Sequence, residues 1–378
     1  MSTSTSNFFI HFGCWNNGGC PKNNDLTNVL DSIKSLSDKP QFLSICGDNY
    51  YPNTTKITLA NGKELKKKQF NYDELLSGFK CLPTDLPIYM TYGNHDFETN
   101  LFITENEQEN TCTLTQNEIS IVKEQFPNIH LELFQSTLFQ TNTLLLFLDT
   151  TIYDNDDIEK YKDCYKTVDS AYSSVEAVKN RQIQYIEGAM NDVDANPNIT
   201  NIVIVGHHPI AQFKLKKEKM RFFILNAEFN DLLFDKVFLP LESRNVEFFY
   251  LCADLHQYQC GDVTINGKMK LRQYIVGTGG AKKDPIVKED ISRVPVRQDN
   301  VEYFMSEEDI SNSMKANGFL KCVAVGDKMV FDFIRVGSVG GKLATGKLAT
   351  GKLAYKKRVT KKRLRRKRLK TRRYRNRR

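Results

Sequence analysis

Residues 42–52 read FLSICGDNYYP, an apolar run that ends in a glycine, an aspartate and an asparagine. The run 42–46 predicts a buried strand, because it is short, apolar and bounded by turn residues. A glycine directly behind a strand lets the backbone turn sharply, so that the side chain of Asp48 swings over the edge of the sheet. Proteins with an α/β fold build their sites at such edges.

Three further predicted strands end in the same way. They run into GNHD at 93–96, GHHP at 206–209 and ADLH at 253–256. Each short motif is weak alone, since such residues also occur in ordinary turns. Because all four follow strands, their carboxylate, carboxamide and imidazole groups are expected to converge. Such a donor set suits two metal ions about 3.5–4 Å apart.

Strand-like and helix-like segments alternate through the first part of the chain, and strands dominate the second part. This order predicts an α/β sandwich. The predicted strands are 8–12, 42–46, 87–91, 143–148, 202–205, 247–252, 270–276, 320–325 and 329–336. The predicted helices, which show helical apolar spacing, are 25–36, 72–81, 116–125 and 174–190.

The order of the four motifs resembles that of the calcineurin-like metallophosphoesterases. The segment GDNYYP at 47–52 is most similar to the Gly-Asp-Asn-x-Tyr segment of purple acid phosphatases, and the glycine-rich turn at 277–280 also fits that family. The resemblance covers about residues 7–336. It implies two packed mixed β-sheets flanked by helices, and metal-dependent hydrolysis of phosphate monoesters.

The resemblance also implies a role for individual residues. Asp48 would bridge two metal ions, iron paired with zinc, manganese or a second iron, and Tyr51 would bind a ferric ion as a phenolate. Asn94 and His207 would bind the second metal. The first metal would also take His256 as a ligand, and His95 would stabilise the phosphoryl oxygens or protonate the leaving group.

Two positions depart from the family pattern. Cys14 stands where the family has an aspartate ligand of the first metal, and Asp254 stands where it has a histidine ligand of the second. Both can bind metal, so one hypothesis is a site with altered ligands. The other is a catalytically impaired phosphatase-fold protein that binds nucleic acid or another polyanion. A protein Ser/Thr phosphatase is less favoured, because Tyr51 is not part of that group's motif.

Charge divides the chain into two parts, predicted as a metallophosphoesterase domain at 1–337 and a low-complexity tail at 338–378. Residues 342–378 contain 19 basic residues and no acidic one, whereas residues 1–341 carry a net charge of −11. The tail repeats GKLAT and then becomes rich in Lys and Arg, which predicts an extended, disordered segment. Such a segment could bind nucleic acid or anionic lipid, or act as a nuclear targeting signal.

Nine scattered cysteines show neither a finger-like spacing nor a dense disulfide framework, which predicts reduced thiols. The N-terminal residues lack the features of a secretion signal, and no apolar run approaches the roughly 20 residues that span a bilayer. We therefore expect an intracellular protein, cytoplasmic or nuclear.

Overall fold

The structure is a computed structural model that describes residues 6–58, 64–97, 100–103, 108–154 and 158–337. The predicted basic tail at 338–378 lies outside the described residues, and the domain boundary before it stays a prediction. Among the described residues, no helix is long and apolar enough to cross a membrane.

The strands of the described residues are, in chain order, β1 (Phe8–Phe12), β2 (Leu43–Cys46), β3 (Asn53–Thr58), β4 (Glu64–Gln69), β5 (Ile88–Thr91), β6 (Asn100–Ile103), β7 (Gln108–Thr111), β8 (Ile129–Leu131), β9 (Gln135–Phe139), β10 (Thr143–Phe147), β11 (Asn201–Val205), β12 (Ala211–Lys216), β13 (Lys219–Ile224), β14 (Glu247–Cys252), β15 (Tyr258–Ile265), β16 (Met269–Val276), β17 (Val296–Gln298), β18 (Val301–Phe304), β19 (Asn317–Val325) and β20 (Lys328–Val336). The α-helices are α1 (Asn24–Lys34), α2 (Tyr72–Cys81), α3 (Asn94–Phe97), α4 (Thr113–Gln125), α5 (Ile158–Val168), α6 (Val175–Ala195), α7 (Ala227–Leu232) and α8 (Glu307–Asn312).

Two large mixed sheets contain most of these strands. The first has the order β20-β19-β1-β2-β5-β8, and the second has the order β17-β18-β15-β16-β14-β11-β10-β9. Strands β1, β2, β5 and β8 are parallel, as are β10, β11, β14 and β16. The predicted fold, two mixed sheets with flanking helices, is confirmed.

The core forms two apolar layers, because successive residues of a strand point to opposite faces of its sheet. Leu145 and Val203 of the second sheet pack in one cluster with Phe9 of the first sheet, between the two sheets. On the other face of the second sheet, Ile204 packs in a cluster with Ile186 of α6. The second sheet is therefore covered on both sides, which explains its continuous apolar strands.

Polar side chains cap several helices at their N-termini. Asn23 accepts hydrogen bonds from the backbone of the first turn of α1, Asn71 does so for α2, and Ser174 for α6. These caps satisfy N–H groups that a helix leaves unpaired. The helices that flank the sheets therefore begin where the sequence supplies a side-chain acceptor.

Two disulfides correct the expectation of reduced thiols. Cys20 pairs with Cys81, and Cys112 pairs with Cys164, whereas the remaining five cysteines are free and buried. No local pattern indicated these pairs, because their members are 61 and 52 residues apart. The cytoplasmic or nuclear location stays a prediction.

Candidate metal centre

The ends of parallel strands in both sheets bring the predicted site residues together. Cys14 follows β1, Asp48 follows β2 and Asp254 follows β14. All three have left-handed backbones, with φ values of 52°, 53° and 48°. Non-glycine residues adopt this conformation at a cost of about 1–3 kcal/mol and often do so at functional sites.

Close approach of the strand exits requires glycine at position 47. Gly47 has φ +81°, and a Cβ atom there would lie 2.7 Å from Nδ1 of His207. A side chain at this position would push the β2 exit away from the β11 exit. The glycine in the GDN motif is therefore needed for the contact between the two sheets.

Asp48 lies at the middle of the candidate site and is almost fully buried. Its Oδ1 accepts a hydrogen bond from the backbone N–H of His95 at 3.1 Å and lies 3.2 Å from Nε2 of His207. Its Oδ2 accepts the hydroxyl of Tyr51 at 2.7 Å and lies 3.7 Å from the Cys14 sulfur. The two oxygens therefore face two different groups of side chains.

His207 and Asn94 face the Oδ1 side of Asp48. Nδ1 of His207 lies 2.7 Å from the carbonyl oxygen of Cys46, which can only accept, so Nδ1 carries the proton. In the neutral imidazole Nε2 is then an acceptor, and it lies 3.2 Å from both Asn94 Oδ1 and Asp48 Oδ1. Three atoms that bear lone pairs thus surround one point, an arrangement that needs a cation or a proton between them.

The charges on this side favour a bound cation. Burial opposes a charge on His207, but the Asp48 carboxylate outweighs it and raises the pKa of His207 to about 9. Burial would raise the pKa of Asp48, yet His207 and His95 hold that pKa well below its usual range. Without a metal, the pair is therefore an imidazolium beside a carboxylate, and a metal ion would replace the imidazolium proton.

Tyr51, His256 and Cys14 face the Oδ2 side of Asp48. Nδ1 of His256 donates to the carbonyl of Lys282 at 2.8 Å, which leaves Nε2 facing the Tyr51 hydroxyl at 3.0 Å. Ligand atoms of Cys14, Asp48 and His256 all lie within 4.8 Å of one another. This second group offers thiol, carboxylate and imidazole donors, which fit zinc or iron.

Both Tyr51 and Cys14 hold their protons in the metal-free protein. Burial and then the Asp48 carboxylate raise the pKa of the Tyr51 phenol and of the Cys14 thiol well above their usual ranges. A metal on this side would have to displace those protons before either residue became a ligand.

His95 lies beside the centre, at the start of the short helix α3. Its ring packs 4.6 Å from the ring of Tyr51, measured between centroids. The contact with the Tyr51 ring and the hydrogen bond from the His95 backbone N–H to Asp48 hold the residue at the edge of the site. The role of His95 toward a substrate stays a prediction.

Asp254 joins the centre from the β14 exit and contacts a cation that the sequence analysis did not identify. Its carboxylate lies 3.7 Å from Nζ of Lys214 on β12. Ligand atoms of Asp254, His207 and His208 also lie within 4.8 Å of one another. The carboxylate can thus reach the His207 side of the site while it pairs with Lys214.

His208 differs from the other two histidines in its hydrogen bonding. The Thr150 hydroxyl oxygen accepts the backbone N–H groups of His207 and His208, at 3.1 and 2.9 Å, and lies 3.0 Å from Nδ1 of His208. With both lone pairs occupied, the hydroxyl donates to Nδ1. Nε2 of His208 therefore carries the proton and points toward the Asp154 carboxylate at 3.4 Å. His208 presents a donor, not a metal ligand.

Several contributors to the site were missed in the sequence. Thr150 and Asp154 lie in a segment, 97–205, for which no functional motif was recognised. Asp96 was quoted only as part of GNHD, yet its carboxylate accepts the backbone N–H groups of Asn49 and Gly93, both at 2.7 Å, and ties two strand exits together. The polar triplet Asp149-Thr150-Thr151 behind an apolar strand was the available signal.

Comparisons with known proteins concern the family and the fold of the chain. The family model described as calcineurin-like phosphoesterase matches residues 9–258. No curated protein sequence matches the chain significantly. A solved structure described as "Structure of PhoD" is similar with a TM-score of 0.54 and 11% identity, covering 89% of this chain and 68% of that chain. One described as "GAP50 the anchor in the inner membrane complex of Plasmodium" has a TM-score of 0.42 and 12% identity, over 89% and 86% of the two chains. At these identities the similarity concerns the fold.

Proposed function

Because this chain belongs to the calcineurin-like phosphoesterase family, we propose that it hydrolyses phosphate monoesters at a two-metal centre of the purple acid phosphatase type. The observation that carries the proposal is the arrangement around Asp48. One of its oxygens faces His207 and Asn94, and the other faces Tyr51 and Cys14. A ligand that bridges two metal ions must lie between two groups of metal-binding side chains, as the Asp48 carboxylate does.

The proposed ligand sets follow from these two groups. Asp48 would bridge both ions. The first ion would take Cys14, Tyr51 and His256, and the second would take Asn94, His207 and Asp254. Iron with zinc, manganese or a second iron would suit these donors, since phenolate favours iron and thiolate also suits zinc.

Bound ions would polarise the ester phosphate and lower the pKa of a water molecule that serves as nucleophile. Residues of the chain would bind the substrate, transfer a proton and orient the metal ligands. His95 would hold the phosphoryl oxygens or donate a proton to the leaving group, a contribution of roughly 10²–10⁴-fold for a positioned acid. The carbonyl groups of Cys46 and Lys282 would fix the two ligand histidines in the tautomer that metal binding needs.

The proposal is tested with the full chain, supplied with iron, zinc or manganese, by measuring the hydrolysis of p-nitrophenyl phosphate. We expect metal-dependent turnover that falls by at least about 100-fold in Asp48→Asn, because loss of a bridging ligand should exceed the 10–100-fold effect of outer residues. Asp31→Asn, an exposed position on α1, is the matched control and should retain activity. Absence of turnover with every metal, in a protein whose circular dichroism shows that it is folded, would refute the proposal.

A second candidate is a phosphatase-fold protein that has lost catalysis and binds a polyanion through its tail. One observation favours it: Lys214 already supplies a positive partner for Asp254. If that ion pair replaces metal binding, the purified protein should retain fewer than two metal ions per chain. Elemental analysis of the metal-loaded protein, beside the turnover assay, separates the two functions.

A further inference from the structure

A cavity of about 470 Å³ lies beside the candidate metal centre. His208 and Asp254, from the exits of β11 and β14, line one part of it. Lys214 and Lys216 of β12 and Phe223 of β13 line another part. The cavity therefore adjoins the side of the centre that His207 and Asp254 form, and the β12–β13 hairpin contributes to its wall.

The hairpin places two ammonium groups in the cavity wall. Nζ of Lys214 lies 3.7 Å from the Asp254 carboxylate. Nζ of Lys216 lies 5.5 Å from the centroid of the Phe223 ring. The phenyl ring of Phe223 gives the same wall an apolar surface.

His208 adds a hydrogen-bond donor to the wall of the cavity. Its Nε2–H points toward Asp154, which also lines the cavity, and the histidine side chain is almost fully buried. Because the Thr150 hydroxyl fixes its tautomer, this donor is oriented before any ligand enters.

We propose, on the basis of the phosphatase function above, that this cavity binds the leaving group of the ester and favours a leaving group that carries a second anionic group. In hydrolysis the P–O bond to the leaving group breaks, a P–O bond to the water oxygen forms, and one water proton ends on the released alcohol. An ester whose phosphate lies at Asp48 can extend past Asp254 into the cavity. There Lys214 and Lys216 would bind the second anion, and Phe223 would contact the apolar part.

The proposal is tested with a pair of esters that differ by one charge, phenyl phosphate and 4-carboxyphenyl phosphate. We expect the full chain to show a kcat/KM about tenfold higher for the carboxylated ester, the effect of one charge-assisted hydrogen bond. Lys214→Gln should bring the ratio of the two kcat/KM values close to one. Lys219→Gln, an exposed lysine of the same hairpin outside the cavity wall, should leave the ratio unchanged.

The outcomes separate this proposal from the proposed function. Hydrolysis of both esters with equal kcat/KM would overturn the leaving-group site while the phosphatase function stands. If neither ester is hydrolysed, the phosphatase function fails, and calorimetric titration of the same two esters tests the cavity directly. Tighter binding of the carboxylated ester that Lys214→Gln abolishes would support an anion site, and equal binding would overturn it.

Discussion

Asp48 shows how much of the candidate site depends on one residue. Its left-handed backbone directs the carboxylate into the space between the two sheets, where each oxygen lies close to a different set of side chains. The backbone N–H of His95 and the Tyr51 hydroxyl orient the two oxygens. Glycine at 47 and the fixed tautomer of His207 are needed for the same contact. The strained backbone of Asp48 therefore places its carboxylate where metal binding would require it.

We predict that metal binding releases a proton from His207. Since its pKa is about 9, Nε2 carries a proton at pH 7.5, and a metal that binds there must displace it. We expect Zn²⁺ binding to the full chain to release at least one proton, and its affinity to fall about tenfold per pH unit on acidification. Calorimetry in two buffers with different heats of ionisation measures the released protons.

Two variants show whether the effect belongs to this histidine. His207→Ala should weaken Zn²⁺ binding strongly, whereas His130→Gln, an exposed histidine on β8, should bind Zn²⁺ with the same proton release as the unaltered protein. Zn²⁺ binding at pH 7.5 without proton release would contradict the assigned protonation of His207.

At the scale of elements, the sequence predicted the strands that support the site and missed the hairpin beside it. Strands β1 and β14 and helix α2 have the predicted bounds. They could be predicted because each carries a local apolar pattern bounded by turn residues. The hairpin β12–β13 was missed although Ala211, Phe213 and Leu215 of β12 alternate with polar residues, because the many charges of the hairpin concealed this pattern. Its importance comes from a contact between Lys214 and Asp254, 40 residues apart, which no local pattern reveals.

The predicted site residues depend on the same local patterns, whereas their hydrogen-bonding roles depend on long-range contacts. The positions of Asn94 and His207 follow from strand ends, which a single sequence can show. The tautomer of His208 depends on Thr150, which lies 58 residues away in the segment that follows β10. Disulfide pairing also depends on distant partners. A single sequence supplies the donor groups of the site, whereas the choice between ligand and hydrogen-bond donor needs the fold.

Helix α4 carries a buried carboxyl group that should make stability depend on pH. Glu118 is fully buried near Asp96, and burial followed by the Asp96 charge raises the pKa of Glu118 well above its usual range. The folded protein therefore keeps the proton that the unfolded chain loses above about pH 4.3. Stability is favoured below that pH and lost as the pH rises toward the folded pKa, by about 1.4 kcal/mol per pH unit.

Replacing Glu118 by glutamine should remove this pH-dependent loss. We expect Glu118→Gln to match the unaltered protein near pH 4.5 and to be more stable at pH 8, with chemical denaturation in EDTA as the measurement. Glu124→Gln, an exposed position on the same helix, is the control and should change stability little at either pH. A Glu118→Gln protein that is less stable than the unaltered one at pH 8 would show that Glu118 is ionised in the fold.

For the whole molecule, the distribution of charge along the chain indicates its ligands better than the net charge does. The net charge of +8 combines 19 basic residues at 342–378 with a remainder of net charge −11. An acidic body repels polyanions, so attraction to nucleic acid would have to come from the basic segment. The candidate metal centre, by contrast, contains carboxylates that would bind cations. The candidate metal centre and the basic segment thus favour ligands of opposite charge.

Binding of duplex DNA tests this division of charge. Cations in the basic segment would release counterions from the phosphates, so affinity should fall steeply with salt, by about 10³–10⁵-fold between 50 and 200 mM if six to ten phosphates are contacted. Replacing the seven basic residues among 361–368 by glutamine should weaken binding at 50 mM salt and flatten the salt dependence, while metal-dependent turnover stays unchanged. Fluorescence anisotropy of a labelled duplex measures both quantities. Binding that is insensitive to salt, or equal in the two proteins, would show that the basic segment does not carry the interaction and would leave nuclear targeting or anionic lipid as its role.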